Sequence, residues 1–492
     1  MKVIIERINN HTYSFRLSDN QGIKKIAKAL TFPNPNPISK NRTIEFFNKT
    51  NMTFGLGMLT NIIRFLEDNG IKYQLSDYEY EPINMEIDSR MSGNYIHQRH
   101  AVEAFYKRRF GIIVVPTRGG KTFIASEICR IFLAKEKGNF MFCVDNVTLF
   151  SQAVNDIKEF FTAYGGIEVG EIRAGKVDTT HRVTVAMIQT IQRTLSNSCA
   201  DKAKKRGLQN YLKELQFLCV DEIHDNCSKS KLKIYRKCKN LDYTLCLSAT
   251  PYRSETELEN LKLQEWSGDI IYRISEKTLR ERGVLSDYRV FELLVDHNEL
   301  LYNFEDDDYQ NLRQHLIFNS DVRNRYILKV IDIVKRLELK TLLLFQSVEH
   351  GEAIAEMSKL PFISGRDKTV VREQRKRELL DNPHGGILLS SDIFKKGVTL
   401  PDVEVLLVCD NNKEAATTIQ RKGRVLGVTR EKNRSLIIDF VDVYDAYFSE
   451  HSEARLNTYI ESIGEENVGI LDTSSETCFE TLENWIKKWF CL

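Results

Sequence analysis

Short apolar runs alternate with amphipathic stretches through most of the 492-residue chain. From about residue 91 the runs fall at 112–115, 140–144, 184–187, 217–220 and 243–247. A polar, acidic interval at 305–308 follows, and then a second set at 341–345, 386–389, 403–408 and 435–438. Runs without strict alternation suit strands buried on both faces. Helical patterns between them predict right-handed βαβ units in parallel sheets. Two successive sets therefore predict two α/β domains in tandem. Ahead of them, 3–5 and 12–17 read as short strands, Pro33-Asn-Pro-Asn-Pro37 as a loop and 58–67 as a helix. From about 448 the pattern is helical, with Phe479, Leu482, Trp485, Ile486 and Trp489 on one face that is expected to dock on the core. The expected division is 1–90, 91–288, 289–447 and 448–492.

Composition narrows the class. At 42% hydrophobic, 10% aromatic and 28% charged residues, bulk disorder and fibrous folds are excluded. Seventy basic against 68 acidic residues leave a formal charge of +2, which gives no global reason to expect nucleic acid. The local balance differs. Residues 1–76 hold eleven basic and five acidic residues, a net +6, while 77–90 hold five acids and one base, a net −4. This reads as a small basic module followed by an acidic linker, the basic surface being either a binding face or a solvated one. The first seven residues make no signal-peptide core, and no apolar run approaches the roughly 20 residues of a membrane helix. Ten cysteines without a C-x-x-C pair, several inside strand-like runs, suggest reduced thiols in a cytoplasmic protein.

Candidate chemistry starts at Ile112-Ile-Val-Val-Pro-Thr-Arg-Gly-Gly-Lys-Thr122, followed by an apolar helical pattern over 123–132. A strand, a small-residue loop, Lys-Thr and a helix are the parts of a phosphate cradle. Glycines let backbone N–H groups close on a phosphate, and the helix N-terminus adds a positive dipole. In this loop of Thr117, Gly119 and Gly120, Lys121 is expected at the β/γ-phosphates and Thr122 on Mg2+. Val115 stands where the regular pattern has glycine. A second run, 217–220, delivers Asp221-Glu-Ile-His224 at its carboxyl end, the edge where open parallel sheets bind ligands. Asp221 can hold Mg2+ through water, and Glu222 can orient and deprotonate an attacking water. A third run ends in Ser248-Ala-Thr250.

In this order the three motifs resemble the superfamily 2 helicases and translocases of the DExH type, over most of 91–445. The resemblance implies two tandem RecA-like domains, with a small α+β N-terminal domain and a helical C-terminal segment around them. Tyr95-Ile-His-Gln98 resembles the adenine-recognising glutamine motif, with Gln98 in the reading position. Residues 144–152 resemble motif Ia, with Asp145 where proline is usual, and 185–190 resemble motif Ic. In the second domain, 343–350 and Ile363-Ser-Gly365 resemble motif IV and its sequel. Residues 386–401, with Gly397-Val-Thr399, resemble motif V, and Gln420-Arg-Lys-Gly-Arg-Val-Leu-Gly427 resembles motif VI. In the family, motif VI arginines reach the γ-phosphate. Arg424 holds the first finger position and Gly427 the second, so either Arg430 substitutes or one finger suffices.

Carried over by resemblance, Asp221, Glu222, Arg424 and Gln420 form the catalytic group. Gln98, Thr117, Gly119, Gly120, Lys121, Thr122, Gly397 and Arg421 bind ATP, with Thr122 and Asp221 on Mg2+. Thr190, Ser347 and Thr399 hold nucleic-acid phosphates, and basic clusters at 202–206 and 372–377 either add affinity or are solvated helix faces. The small N-terminal module, the stretch 268–289 and the compact size resemble phage UvsW-type helicases, with RecG-like and XPB-like motors around them. This implies a monomeric enzyme acting on branched or forked DNA, away from membranes, in a host cytoplasm if the source is a phage. An RNA helicase of the same superfamily and a non-catalytic nucleic-acid clamp are the alternatives.

Overall fold

The computed structural model describes the chain except residues 1, 10, 17–19, 35–41, 78–83, 85, 197, 226–227, 253–256, 296–308, 392–399, 401, 412–422, 424–425, 430–431 and 444–445. It divides into two compact units, one of residues 1–116 and 120–274, the other of 117–119 and 275–492. The first unit begins with a five-stranded sheet in the order Phe47–Asn48, Thr53–Gly55, Thr12–Arg16, Lys2–Asn9, Lys72–Ser76, antiparallel except for its last pair. The strands expected at 3–5 and 12–17 and the helix at 58–67 are present, the helix as Leu59–Asp68. Most of the Pro-rich loop lies outside the described residues.

The second sheet of this unit has eight strands. Their order is Lys176–Val177, Val169–Arg173, Val183–Met187, Phe140–Val144, Phe217–Val220, Tyr243–Ser248, Phe110–Val114, Ile270–Arg273, all parallel except the first pair. The five strands marked by apolar runs occupy the middle, and most of their side chains are buried on both faces. Val169–Arg173 and Ile270–Arg273 lie nearer the edges. Each keeps exposed or half-exposed positions, which is why no continuous apolar run announces it.

The small sheet builds its core against a helix of this larger domain. Val3, Ile5, Tyr13, Phe15, Phe54, Ile62 and Leu66 pack together with Leu261 of the helix Glu257–Ser267. Two glycines permit the close approach: a Cβ on Gly57 would lie 1.6 Å from the Gln264 carbonyl oxygen, and one on Gly55 2.8 Å from that of Glu265. Thr60 Oγ1 donates to Asp269 at 2.5 Å across the same seam. The N-terminal module is therefore built onto the first α/β domain and not hung from it.

In the second unit a seven-stranded, all-parallel sheet runs in the order Phe362–Ile363, Ile387–Ser391, Thr341–Phe345, Val405–Val408, Arg434–Asp442, Asp287–Val295, Val468–Asp472. The helix Glu276–Glu281, counted with the first domain in the expected division, packs here instead. Its Arg280 donates to the Ser462 carbonyl at 2.9 Å, and Glu276 accepts from Tyr288 at 2.9 Å. The C-terminal segment is mainly helical, as expected, but contributes the edge strand Val468–Asp472. The helix Cys478–Phe490 docks Leu482 and Ile486 into the core. Phe479, Trp485 and Trp489 pack beside them, and Trp489 donates to the Ser435 carbonyl at 2.8 Å. Cys143, Cys219 and Cys246 are buried thiols in central strands, and burial suppresses the acidity of Cys143 and Cys219. Among the described residues no helix is long and apolar enough to cross a membrane.

Candidate active site

The strands Phe217–Val220, Tyr243–Ser248 and Phe110–Val114 are consecutive neighbours in the parallel sheet, so their carboxyl ends open on one edge. The first strand of the α/β fold turns through 115–120 into the helix Lys121–Lys135, whose N-cap is Gly120. Thr117 and Gly119 lie in this turn. Gly120 adopts φ +89°, a left-handed conformation that suits glycine. A Cβ there would sit 2.2 Å from Gln98 Nε2, so the buried Gln98 amide rests directly on the loop. Gln98 occupies the first turn of the helix Ile96–Arg108. The sequence-predicted glutamine and phosphate loop are thus brought together.

Lys121 and Thr122 open the helix, where the dipole and free N–H groups favour an anion. Lys121 Nζ lies 3.4 Å from Glu222 Oε1. Asp221, at the end of its buried strand, is 9% exposed, and its Oδ1 accepts from the Glu222 backbone N–H at 3.0 Å. Burial pushes the Asp221 carboxyl up to about 7, the adjacent Glu222 carboxylate adds to the rise and Lys121 opposes it. Glu222 itself is held at φ +45°, unusual for a residue with a side chain. One lysine and two carboxylates therefore meet at the mouth of the loop, Lys121 within ion-pair distance of Glu222 and Asp221 hydrogen-bonded beside it.

Sequence reasoning left His224 without a role. Its Nδ1 pairs with Ser248 Oγ at 2.7 Å, and Ser248 Oγ also accepts from the Thr250 backbone N–H at 3.0 Å. The two motifs are thereby joined across neighbouring strands. The residue types were visible, but their junction depends on strand order, which no local pattern states. Asp145, the residue in the proline position, also raises the Asp221 carboxyl, and its carbonyl accepts from Gln189.

The remaining expected residues are placed less centrally. Thr190 lies in the first turn of the helix Ile188–Leu195 and is 8% exposed. Ser347 caps the helix Val348–Ser358, accepting from the His350 N–H at 3.2 Å and donating to Glu349 at 2.9 Å. Gly397, Thr399, Gln420, Arg421, Arg424 and Arg430 lie outside the described residues. Gly427 forms an antiparallel bridge with Leu285 inside the second unit. Lys202–Glu214 is a helix whose Lys204 and Lys205 donate to backbone carbonyls of Gly175 and Ser196.

Two families match in tandem. The Type III restriction enzyme, res subunit family covers residues 88–253, and the helicase conserved C-terminal domain covers 323–427. The chain is 21% identical over 355 residues to the ATP-dependent DNA helicase uvsW of Enterobacteria phage T4, spanning 70% of this chain and 68% of that protein. It is 24% identical over 387 residues to the DNA 3'-5' translocase XPB2 of Sulfurisphaera tokodaii, spanning 70% and 80%. Its fold is similar to that of the DUF1998 helicase MrfA bound to DNA, with a TM-score of 0.54 and 14% identity over 83% of this chain and 55% of that one. With both helicase domains present on parallel RecA-like sheets, the chain belongs to the superfamily 2 helicases and is an NTP-dependent hydrolase.

Proposed function

We propose that the chain is an ATP- and Mg2+-dependent DNA translocase that remodels branched DNA, unwinding forks or migrating junctions, and that it works as a monomer in the cytoplasm. The observation that carries this reading is the meeting of Lys121, Asp221 and Glu222 at the carboxyl edge of one parallel sheet. Lys121 meets the β/γ-phosphates while the backbone of Thr117, Gly119 and Gly120 surrounds them, and Gln98 reads the adenine. Glu222 orients a water and accepts its proton. Thr122 and Asp221 would hold Mg2+, which when bound would neutralise phosphate charge. The residues fit such an ion: Asp221 and Glu222 are adjacent carboxylates with one ammonium, Lys121, beside them, and the burial and neighbouring charge that raise Asp221 are what a divalent cation would offset. By family resemblance Arg424 and Gln420 are assigned to catalysis and Arg421 and Gly397 to nucleotide binding.

The substrate half of the reading rests on other grounds. The uvsW and XPB2 relatives both carry names of DNA enzymes. The N-terminal module is basic, and its helix Asn20–Ala29 exposes Lys24, Lys25 and Lys28. Thr190, Ser347 and Thr399 are the proposed phosphate contacts of the motor. Contacts to a sugar-phosphate backbone do not distinguish DNA from RNA. Comparing ATPase stimulation by forked DNA, linear duplex and single-stranded RNA is the test. Forked DNA is expected to stimulate most, and stimulation by RNA alone would sink the DNA reading.

A further inference from the structure

The acidic stretch 77–90 ends in a cluster that the nucleotide chemistry does not use. Asp88 is almost fully buried, and its backbone N–H donates to Glu127 Oε1 at 3.0 Å. Glu127, fully buried on the helix Lys121–Lys135, also accepts from Arg130 Nε and Nη2, both at 2.7 Å. Arg130 Nη2 reaches the Glu86 carbonyl at 2.7 Å. Arg90 grips Asp88 with Nε at 3.0 Å from both carboxylate oxygens, and its guanidinium lies 4.8 Å and 5.0 Å from the ring centroids of Phe123 and Phe160. Tyr164 closes the ring, donating to Asp88 Oδ2 at 2.7 Å under the Arg130 guanidinium.

Two carboxylates and two guanidiniums balance in charge. Such a cluster adds little net stability over an apolar replacement, yet removing one member leaves a buried charge unpaired. What it fixes is position. From Arg90 the chain passes through the turn in which the Met91 N–H donates to the Asp88 carbonyl at 2.9 Å, then a single 3-10 turn, Gly93–Tyr95, into the helix bearing Gln98. That helix starts with no side-chain cap hydrogen bond and no acid in its first turn, and its entry runs through the backbone-bonded turn in which the Tyr95 N–H donates to the Ser92 carbonyl at 3.0 Å, directly downstream of the cluster. Farther along, Tyr106 donates to the Ile128 carbonyl at 2.7 Å. The segment bearing Gln98 is thus tied to the helix of Lys121 at two adjacent residues, Glu127 and Ile128.

We propose that the Asp88–Arg90–Glu127–Arg130 cluster is the positioning device that sets Gln98 against the phosphate loop, so that residues outside the nucleotide site determine its preference for adenine. This rests on the reading of Gln98 as the adenine contact. Arg90 and Tyr164 are positioning residues that act through Gln98.

The test is steady-state ATPase of the full chain with saturating forked DNA, in ATP and in GTP. Arg90→Ala is compared with Tyr164→Phe, which removes one hydrogen bond without leaving a charge unpaired, and with Gln98→Ala. Arg90→Ala is expected to raise the KM for ATP about fivefold or more, keep kcat within about twofold and reduce the ATP-over-GTP ratio of kcat/KM toward that of Gln98→Ala. Tyr164→Phe is expected to shift the ratio in the same direction by less. If Gln98→Ala lowers the ratio while Arg90→Ala and Tyr164→Phe keep the parental ratio, the cluster is structural only and the inference fails. If Gln98→Ala itself keeps the ratio, the adenine reading fails and takes the inference with it. A variant with lower thermal stability but an unchanged ratio counts as overturning, because a merely structural role predicts that pattern.

Discussion

At Gly120 a methyl group has no room, because φ is +89° and an ideal Cβ lies 2.2 Å from the Gln98 amide nitrogen. Gly120→Ala is therefore expected to strain the loop by about 1–3 kcal/mol and to push Gln98 aside. Nucleotide affinity should fall about tenfold or more in a fluorescent-nucleotide titration, and parental affinity would contradict the close approach. Glu222→Gln makes a different demand. The amide keeps the shape of the side chain but cannot take a proton, so hydrolysis should fall about 100-fold or more while the unfolding temperature holds. Lys121→Ala should likewise abolish hydrolysis by removing the phosphate grip. Parental turnover in either variant would overturn the site assignment. At this scale the sequence names side chains that the fold brings together where each lies in a local motif, as for Lys121 in one motif and Asp221 with Glu222 in another. It reads poorly where function depends on which strands are neighbours. His224 and Ser248 are 24 residues apart and meet only because their strands pair.

The strands that form sheet centres in the first α/β domain were readable because burial on both faces demands unbroken apolar runs. Asp287–Val295 escaped because Arg289 and Glu292 interrupt its run, although it lies inside the second sheet. Glu292 is 1% exposed and in register with Asp439 on the neighbouring strand. From the helix Ala446–Ile463, Arg455 donates to Asp439 at 2.8 Å and Tyr459 to the same carboxylate at 2.9 Å. One guanidinium thus faces two carboxylates. Burial, reinforced by Asp439, raises Glu292 to about 8 against an ordinary value of 4.5, with Arg455 opposing. The folded state then holds a proton that the unfolded chain releases. The associated stability is full below about pH 4.5 and is lost as pH rises through about 8, at about 1.4 kcal/mol per pH unit between them. Glu292→Gln carries no such proton. Its unfolding temperature should fall less than that of the parent between pH 6 and 8, and equal slopes would exclude Glu292 as the source.

Over the whole chain, a net charge of +2 hides a +6 module, and that module shares a hydrophobic core with the motor through Leu261. Neither fact is visible from composition, since one is cancelled by acids elsewhere and the other joins residues about 200 positions apart. The shared core determines how the module can be tested. Deleting residues 1–76 uncovers Leu258 and Leu261 on the helix Glu257–Ser267, so the truncated chain should lose thermal stability along with any DNA binding. Cutting at residue 90 would also dismantle the Asp88 cluster on the helix Lys121–Lys135. Charge reversal separates these effects, because Lys24, Lys25 and Lys28 are exposed and take no part in the shared core. Removing one lysine–phosphate pair should reduce the slope of log affinity against log salt by about 0.9. The triple variant Lys24→Glu, Lys25→Glu, Lys28→Glu is therefore expected to bind forked DNA more weakly and with a shallower salt slope. Its basal ATPase and unfolding temperature should stay at parental values. Fork titrations between about 50 and 200 mM salt check this, a range over which phosphate binding responds steeply to salt. A parental affinity and slope would make this helix a solvated face and place the module's DNA-binding surface elsewhere.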